Sequence, residues 1–208
     1  MPGLFVTLEG IDRSGKTTQA GLLCEALGDQ AVAVREPGGT VVGERVRELL
    51  RDPDAQIGAE AEALLFAAAR AELVARVIRP ALVGGRVVVS DRFLDSSLAY
   101  QGAARGLGID EVARVNRWAT GGLTPDVTFL LELDEAAAAR RSGERDRFEA
   151  EGAALQQDVL VAYAELASAD PARWRRIDAH RPPEEVHADV LAGVRAALPA
   201  TADRATPA

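Results

Sequence analysis

Gly10-Ile11-Asp12-Arg13-Ser14-Gly15-Lys16-Thr17 contains the only lysine of the chain; every other one of its 24 Lys and Arg side chains is arginine. An arginine- and alanine-rich composition has filled the remaining basic positions with guanidinium, so the exception marks a site that guanidinium cannot serve. Lysine is a compact three-donor point charge on a thin stem, whereas arginine is a broad planar fork. Only lysine fits a tight loop wrapped round a phosphate chain. Glycine, four variable residues, glycine, lysine and threonine is the pattern of such a loop. Its flanks agree: Leu4 to Glu9 is an apolar run of strand length, and Thr17 to Leu27 has helical spacing at Leu22, Leu23, Ala26 and Leu27. Backbone amides and the positive end of that helix would cradle phosphates, Lys16 would bridge their oxygens, and the Thr17 hydroxyl would face a divalent cation.

Outward from this loop, strand-like runs at Ala31 to Arg35, Arg86 to Ser90, Val127 to Leu133 and Trp174 to Ile177 alternate with longer helical stretches. With the first run they make five strands, the signature of a parallel sheet covered on both faces. The longest helical stretch, about Ala59 to Val83, is apolar at Leu64, Leu65, Ala68, Leu73, Val77 and Ile78 and stops near Gly84-Gly85. At 208 residues and 48% hydrophobic content the chain supports one α/β domain over residues 1–198, with 199–208 a small, polar, flexible tail.

A net charge of −8 argues against a nucleic-acid surface, so the arginines act locally. Cys24 stands alone, which excludes a disulfide framework and a thiolate metal cluster, and reads as core filler. The sequence holds no run of about 18 uninterrupted apolar residues, and no basic leader precedes Leu4. A cytoplasmic protein without a membrane partner is expected.

Asp91 ends the apolar run Val87 to Ser90, at the carboxyl edge of a buried strand where α/β sheets bind ligands. A carboxylate there can hold magnesium, or cap the next helix. Arg92 follows, and arginine clamps phosphate bidentately.

Glu9 to Gln19, read whole, resembles the phosphate loop of thymidylate kinases. Arg35 to Thr40, Leu65 to Arg70 and Asp91 to Gly102 resemble that family's later segments in the same order, as do Thr124-Pro125-Asp126 and Asp146 to Glu149. The resemblance implies a phosphate-loop fold of the nucleoside monophosphate kinase architecture, with a five-stranded parallel sheet, helices on both faces and a small lid at about 138–150. It implies transfer of a phosphoryl group from ATP to dTMP, with magnesium, in a homodimer.

Carried over position by position, Gly10, Asp12, Arg13, Ser14, Gly15, Lys16, Thr17 and Thr18 would meet the ATP phosphates, and Arg140 would stack on adenine. Thr17 and Asp91 would hold magnesium. For dTMP the resemblance implies Phe66 and Arg70 at thymine, Gln101 at the base edge with Ser97 beside it, and Tyr100 under the sugar. Asp12 would accept from the 3′-hydroxyl, Arg47 and Arg92 would hold the 5′-phosphate, and Glu36 would stand near it. Without the family, the commoner reading of a phenylalanine and an arginine four apart is a core residue and a surface cation. The family tends to carry its catalytic arginine either in the loop or in the lid; here Arg13 is in the loop and Ser142 stands where the lid type has arginine. Arg145 and Arg147 are nearby cations, read equally as helix charges paired with Glu144 and Glu149. Leu133 to Arg140 is shorter than the family's usual proline-containing stretch. Three alternatives stay open: a kinase for dUMP, CMP or AMP, a non-catalytic nucleotide-binding regulator, and a DNA-associated ATPase.

Overall fold

The computed structural model describes residues 3–141 and 153–198. Ser142, Arg145, Arg147, most of the expected lid and the tail 199–208 lie outside them. Five strands, β1 (Leu4–Glu9), β2 (Ala31–Arg35), β3 (Val87–Asp91), β4 (Val127–Glu132) and β5 (Trp174–Asp178), form one parallel sheet in the order β2-β3-β1-β4-β5. Each strand end lies within about two residues of its sequence expectation.

Parallel strands buried on both faces read as continuous apolar runs, and β1 is buried along its whole length. One face packs Val6, Leu8, Val89 and Phe129 against Leu23, Val159 and Val190. These three come from α1 (Lys16–Leu27), α8 (Ala153–Ala169) and α9 (Pro183–Ala197). The other face packs Phe5, Val88 and Phe93 against Leu73, Val74 and Ile78. The latter belong to one continuous helical rod: α3 (Ala59–Leu73), a wider π segment (Val74–Ile78) and α4 (Arg79–Val83). Beside it run α2 (Val41–Arg51), capped by the Thr40 hydroxyl on Gly43 N at 2.9 Å, and α6 (Ile109–Thr120). A short α5 (Leu94–Ser97) continues as a π segment (Leu98–Ala104), and α7 (Glu135–Arg140) is capped by the Asp134 carboxylate.

Leu64 and Ala68 do not face the core: Leu64 is 58% exposed and Ala68 is also outward. α3 is apolar on more than one side, so spacing alone cannot choose its inner face. The side turned inward carries Glu62, Ala69, Arg70 and Leu73.

Register brings the functional edge together. Leu8 pairs with Asp91 and Arg35 pairs with Asp91, while Glu9 pairs with Leu130. The loop after β1 therefore opens between neighbouring strand ends, in the crevice where doubly wound sheets bind ligands.

Candidate active site

The phosphate loop needs backbone that most residues avoid. Gly10 (φ 140°) and Gly15 (φ 104°) supply part of it, and a Cβ on Gly10 would come within 2.7 Å of the Leu131 carbonyl oxygen. Arg13 (φ 63°) and Arg92 (φ 71°) are the two non-glycine residues with positive φ among those described. Such strain costs about 1–3 kcal/mol per residue and collects at functional sites. Here it falls on two arginines already singled out for phosphate chemistry, Arg13 as the catalytic arginine and Arg92 as a phosphate clamp.

The loop, the ends of β2 and β3, and parts of α2, α3 and α5 enclose one cavity of about 1160 Å³. That exceeds the roughly 300–1,000 Å³ of a single small-molecule site. Eight arginines and Lys16 line it against four carboxylates, reversing the sign of the whole chain. Every expected site residue lines this cavity except Gly10 and Arg140. Gly10 stands behind the wall, its carbonyl accepting from Arg92 Nη1 at 3.0 Å.

At the loop end, Lys16 Nζ donates to the Ile11 carbonyl at 2.6 Å and to Ser14 Oγ at 3.4 Å. Burial, with Arg92 nearby, lowers the Lys16 ammonium to about 8 against the pull of Asp12, Asp91 and Glu9. Thr17 Oγ1 donates to Asp91 Oδ2 at 2.5 Å, so a hydroxyl and a carboxylate oxygen converge on one point. Hard oxygen donors of this kind suit magnesium, which takes one or two protein groups and completes its shell with water and phosphate. Thr18 is exposed on the first turn of α1.

At the centre, Arg92 forms an ion pair with Asp12, lies 3.4 Å from Tyr100 Oη and has its guanidinium 5.2 Å from the Tyr100 ring. Burial alone would push the Asp12 carboxyl up, but Arg92, Lys16 and Arg13 hold it below its ordinary value. Arg47 Nη1 donates to the Pro37 carbonyl at 3.1 Å, and Arg35 and Arg51 line the same wall.

At the far end, Arg70 is 1% exposed, far from the surface cation of the commoner reading. Its guanidinium bonds to Glu36 at 2.7 Å, to Ser97 Oγ at 3.1 Å, to the Phe93 carbonyl at 3.2 Å and to Asn116 Oδ1. Of its five N–H groups, one on Nη1 is left for the cavity. Burial pushes the Glu36 carboxyl up to about 7 against Arg70, and Glu36 Oε1 is buried without a partner. Phe66 and Gln101 flank this end.

One expected side chain stands outside the cavity. Arg140, the last residue of α7, is exposed, while Arg141 turns back into the cavity. Arg141 Nη1 donates to the Arg13 carbonyl at 2.9 Å and Nη2 to the Ala179 carbonyl at 2.7 Å. The helix ends at Arg140 and Arg141 is extended (ψ 131°), which reverses the direction of its side chain.

Sequence reasoning gave no role to Glu9, Glu62, Asn116 or Tyr163. Glu9, fully buried at the end of β1, accepts from Phe93 N (2.8 Å), Ser96 Oγ (2.6 Å) and Tyr163 Oη (2.8 Å). Burial and Asp95 push its carboxyl up to about 7. A carboxylate closing a largely apolar strand was the available signal, because a buried charge requires partners.

Comparison with known proteins agrees with this geometry. The protein-family model described as Thymidylate kinase matches residues 8–190. A thymidylate kinase of Desulforudis audaxviator is 49% identical over 205 residues, covering 95% of this chain and 93% of the relative. One from Halorhodospira halophila is 50% identical over 206 residues, covering 95% and 96%. The crystal structure of thymidylate kinase from Ehrlichia chaffeensis superposes with a TM-score of 0.79 at 31% identity, covering 94% of this chain and all of that one. The chain belongs to the thymidylate kinase family, the enzymes that phosphorylate dTMP to dTDP with ATP in the synthesis of dTTP.

Proposed function

We propose that the chain carries out its family's reaction, ATP + dTMP giving ADP + dTDP, inside this one cavity, with each end committed to one nucleotide. The carrying observation is Arg92, which bonds to the loop at the Gly10 carbonyl and Asp12 and packs on the Tyr100 ring next to Gln101. Two anions must meet there, and their repulsion is the energetic problem of the reaction.

Lys16 would exchange the Ile11 carbonyl for oxygens of the donor triphosphate. Arg92 and Arg47 would clamp the acceptor 5′-phosphate, with Glu36 close to it. Arg13, held in left-handed backbone at the lip of the loop, would reach across the charge that develops during transfer. Asp12 would orient the sugar through its 3′-hydroxyl while holding Arg92. Tyr100, packed against Arg92 and buried, would leave no room for a 2′-hydroxyl. Phe66 would face the base, and Arg70 would donate to a base carbonyl with its Nη1 hydrogen. Arg141, together with the Ala179 segment, would line the adenine side. Thr17 and Asp91 would hold magnesium, which when bound screens the donor phosphate oxygens. No covalent enzyme intermediate is needed; positioning and electrostatics suffice.

We also propose a homodimer in the cytoplasm. Leu49 on α2, Leu64 on α3 and Trp118 on α6 are exposed apolar side chains on three helices that pack side by side. Ala61, Ala68 and Ala75, also exposed, continue the Leu64 stripe, an apolar face of the kind a second copy covers. No described helix is long and apolar enough to cross a membrane.

The test follows ADP release with ATP and magnesium against dTMP, dUMP, ribo-TMP, CMP and AMP. Turnover led by dTMP is expected. Preference for another monophosphate would overturn the base and sugar assignments while leaving the phosphate chemistry.

A further inference from the structure

Glu62 lies on α3 two turns before Arg70, and its side chain is 1% exposed. A carboxylate that deep must be paired. Arg105 donates to it from Nε at 3.2 Å and from Nη2 at 3.1 Å, one bond to each oxygen. Gln101 Nε2 donates to Oε1 at 2.8 Å. The guanidinium fork engages both carboxylate oxygens as acceptors, and Oε1 accepts a further bond from the Gln101 amide nitrogen. The neighbouring amide must therefore turn its nitrogen toward Glu62. What Gln101 offers the cavity it lines is then its oxygen.

We propose that Glu62 is a positioning residue that, acting through Gln101, fixes a hydrogen-bond acceptor at the base edge and thereby selects rings bearing an N3–H. This rests on the reading of Gln101 as the base-edge contact. Arg70 completes the pattern through Ser97, which accepts from Arg70 Nη2 and stands one turn before Gln101. Arg70 presents a donor and Gln101 an acceptor. Thymine and uracil present the complement, a carbonyl at C4 beside a donor at N3. Cytosine presents an amino group at C4 and an acceptor at N3, which mismatches both. Leaving such buried groups unpaired is how a site rejects an analogue most strongly. Phe66 stacks on any pyrimidine and cannot make this choice.

The test compares kcat/KM of the wild type and Glu62→Gln on dUMP and dCMP, with dTMP alongside. In the variant both amides can turn over, so the oxygen is no longer imposed and Gln101 can offer its amide hydrogens to the cytosine N3. The wild-type preference for dUMP over dCMP is expected to shrink about tenfold in the variant. An unchanged preference overturns the inference and leaves Glu62 a structural residue, with the base-site reading intact. Should Glu62→Gln not fold, Glu62→Ala, which also frees the Gln101 amide to rotate, is measured in the same way and decides by the same outcomes. A wild type that prefers a purine monophosphate overturns the base-site reading itself, a separately visible failure.

Discussion

Tyr163 on α8 and Glu9 on β1, 154 positions apart in sequence, are joined by a hydrogen bond of 2.8 Å, and the same hydroxyl reaches Ser96 Oγ at 2.8 Å and Arg92 Nη1 at 3.3 Å. Arg92, to which the acceptor phosphate is assigned above, is thus braced by α8. Tyr163→Phe keeps the ring and removes the brace. KM for dTMP should rise about 3–10-fold with little change in kcat, since the net contribution of a typical hydrogen bond is about 0.5–1.5 kcal/mol. Steady-state kinetics check this, and an unchanged KM would show that Arg92 holds its place without Tyr163.

Arg13→Ala removes the cation assigned to the developing charge. Turnover should fall about 10²-fold or more. Affinity for dTMP, measured by calorimetry, should stay near the wild-type value, because Arg92, Arg47 and the base contacts remain. Undiminished turnover would strike Arg13 from its role.

Burial holds the Lys16 ammonium near 8, and only its protonated form attracts phosphate. Below that pH the charge is present; as pH rises through it the amine is neutral and the attraction is lost. The pH profile of kcat/KM for ATP reports groups of the free enzyme. It should fall on the alkaline side with a midpoint near 8, whereas a flat profile to pH 9.5 would mean that the ammonium is not so depressed.

Gly193 on α9 lies against Phe129 of β4: a Cβ there would stand 2.6 Å from the ring, which is fully buried. Gly193→Ala gains helix propensity of about 1 kcal/mol but forces overpacking of about 1–3 kcal/mol. A melting temperature lower by about 2–6 °C is expected from calorimetry, with kcat unchanged because the contact is remote from the cavity.

Leu64→Asp puts a charge into the exposed apolar face. Sedimentation should show the wild type at twice the 22.0 kDa chain mass and the variant at the chain mass itself. A wild type that sediments as a single chain would remove the homodimer.

The strands, their parallel arrangement and the whole rod from Ala59 to Val83 were legible because apolar runs, glycine stops and the phosphate loop each carry a local signal. The inward face of that rod was not legible, since Leu64 and Ala68 are as apolar as the residues that do turn inward. Arg140 and Arg141 illustrate another limit: which of two adjacent arginines enters a cavity depends on where a six-residue helix ends. Glu9, Glu62 and Tyr163 share a third cause. Their roles arise from partners 39 to 154 positions away, and spacing within a segment says nothing about them.

Lys16 carries the single ε-amine of the chain, and its lowered basicity leaves a large share of that amine unprotonated and nucleophilic at mildly alkaline pH. The phosphate loop is therefore also the one lysine address for covalent chemistry. An amine-directed acylating or reductively alkylating reagent has one side chain to find beside the α-amino group, and peptide mass mapping would tell the two apart. Protection by ATP would then read nucleotide affinity without following turnover at all.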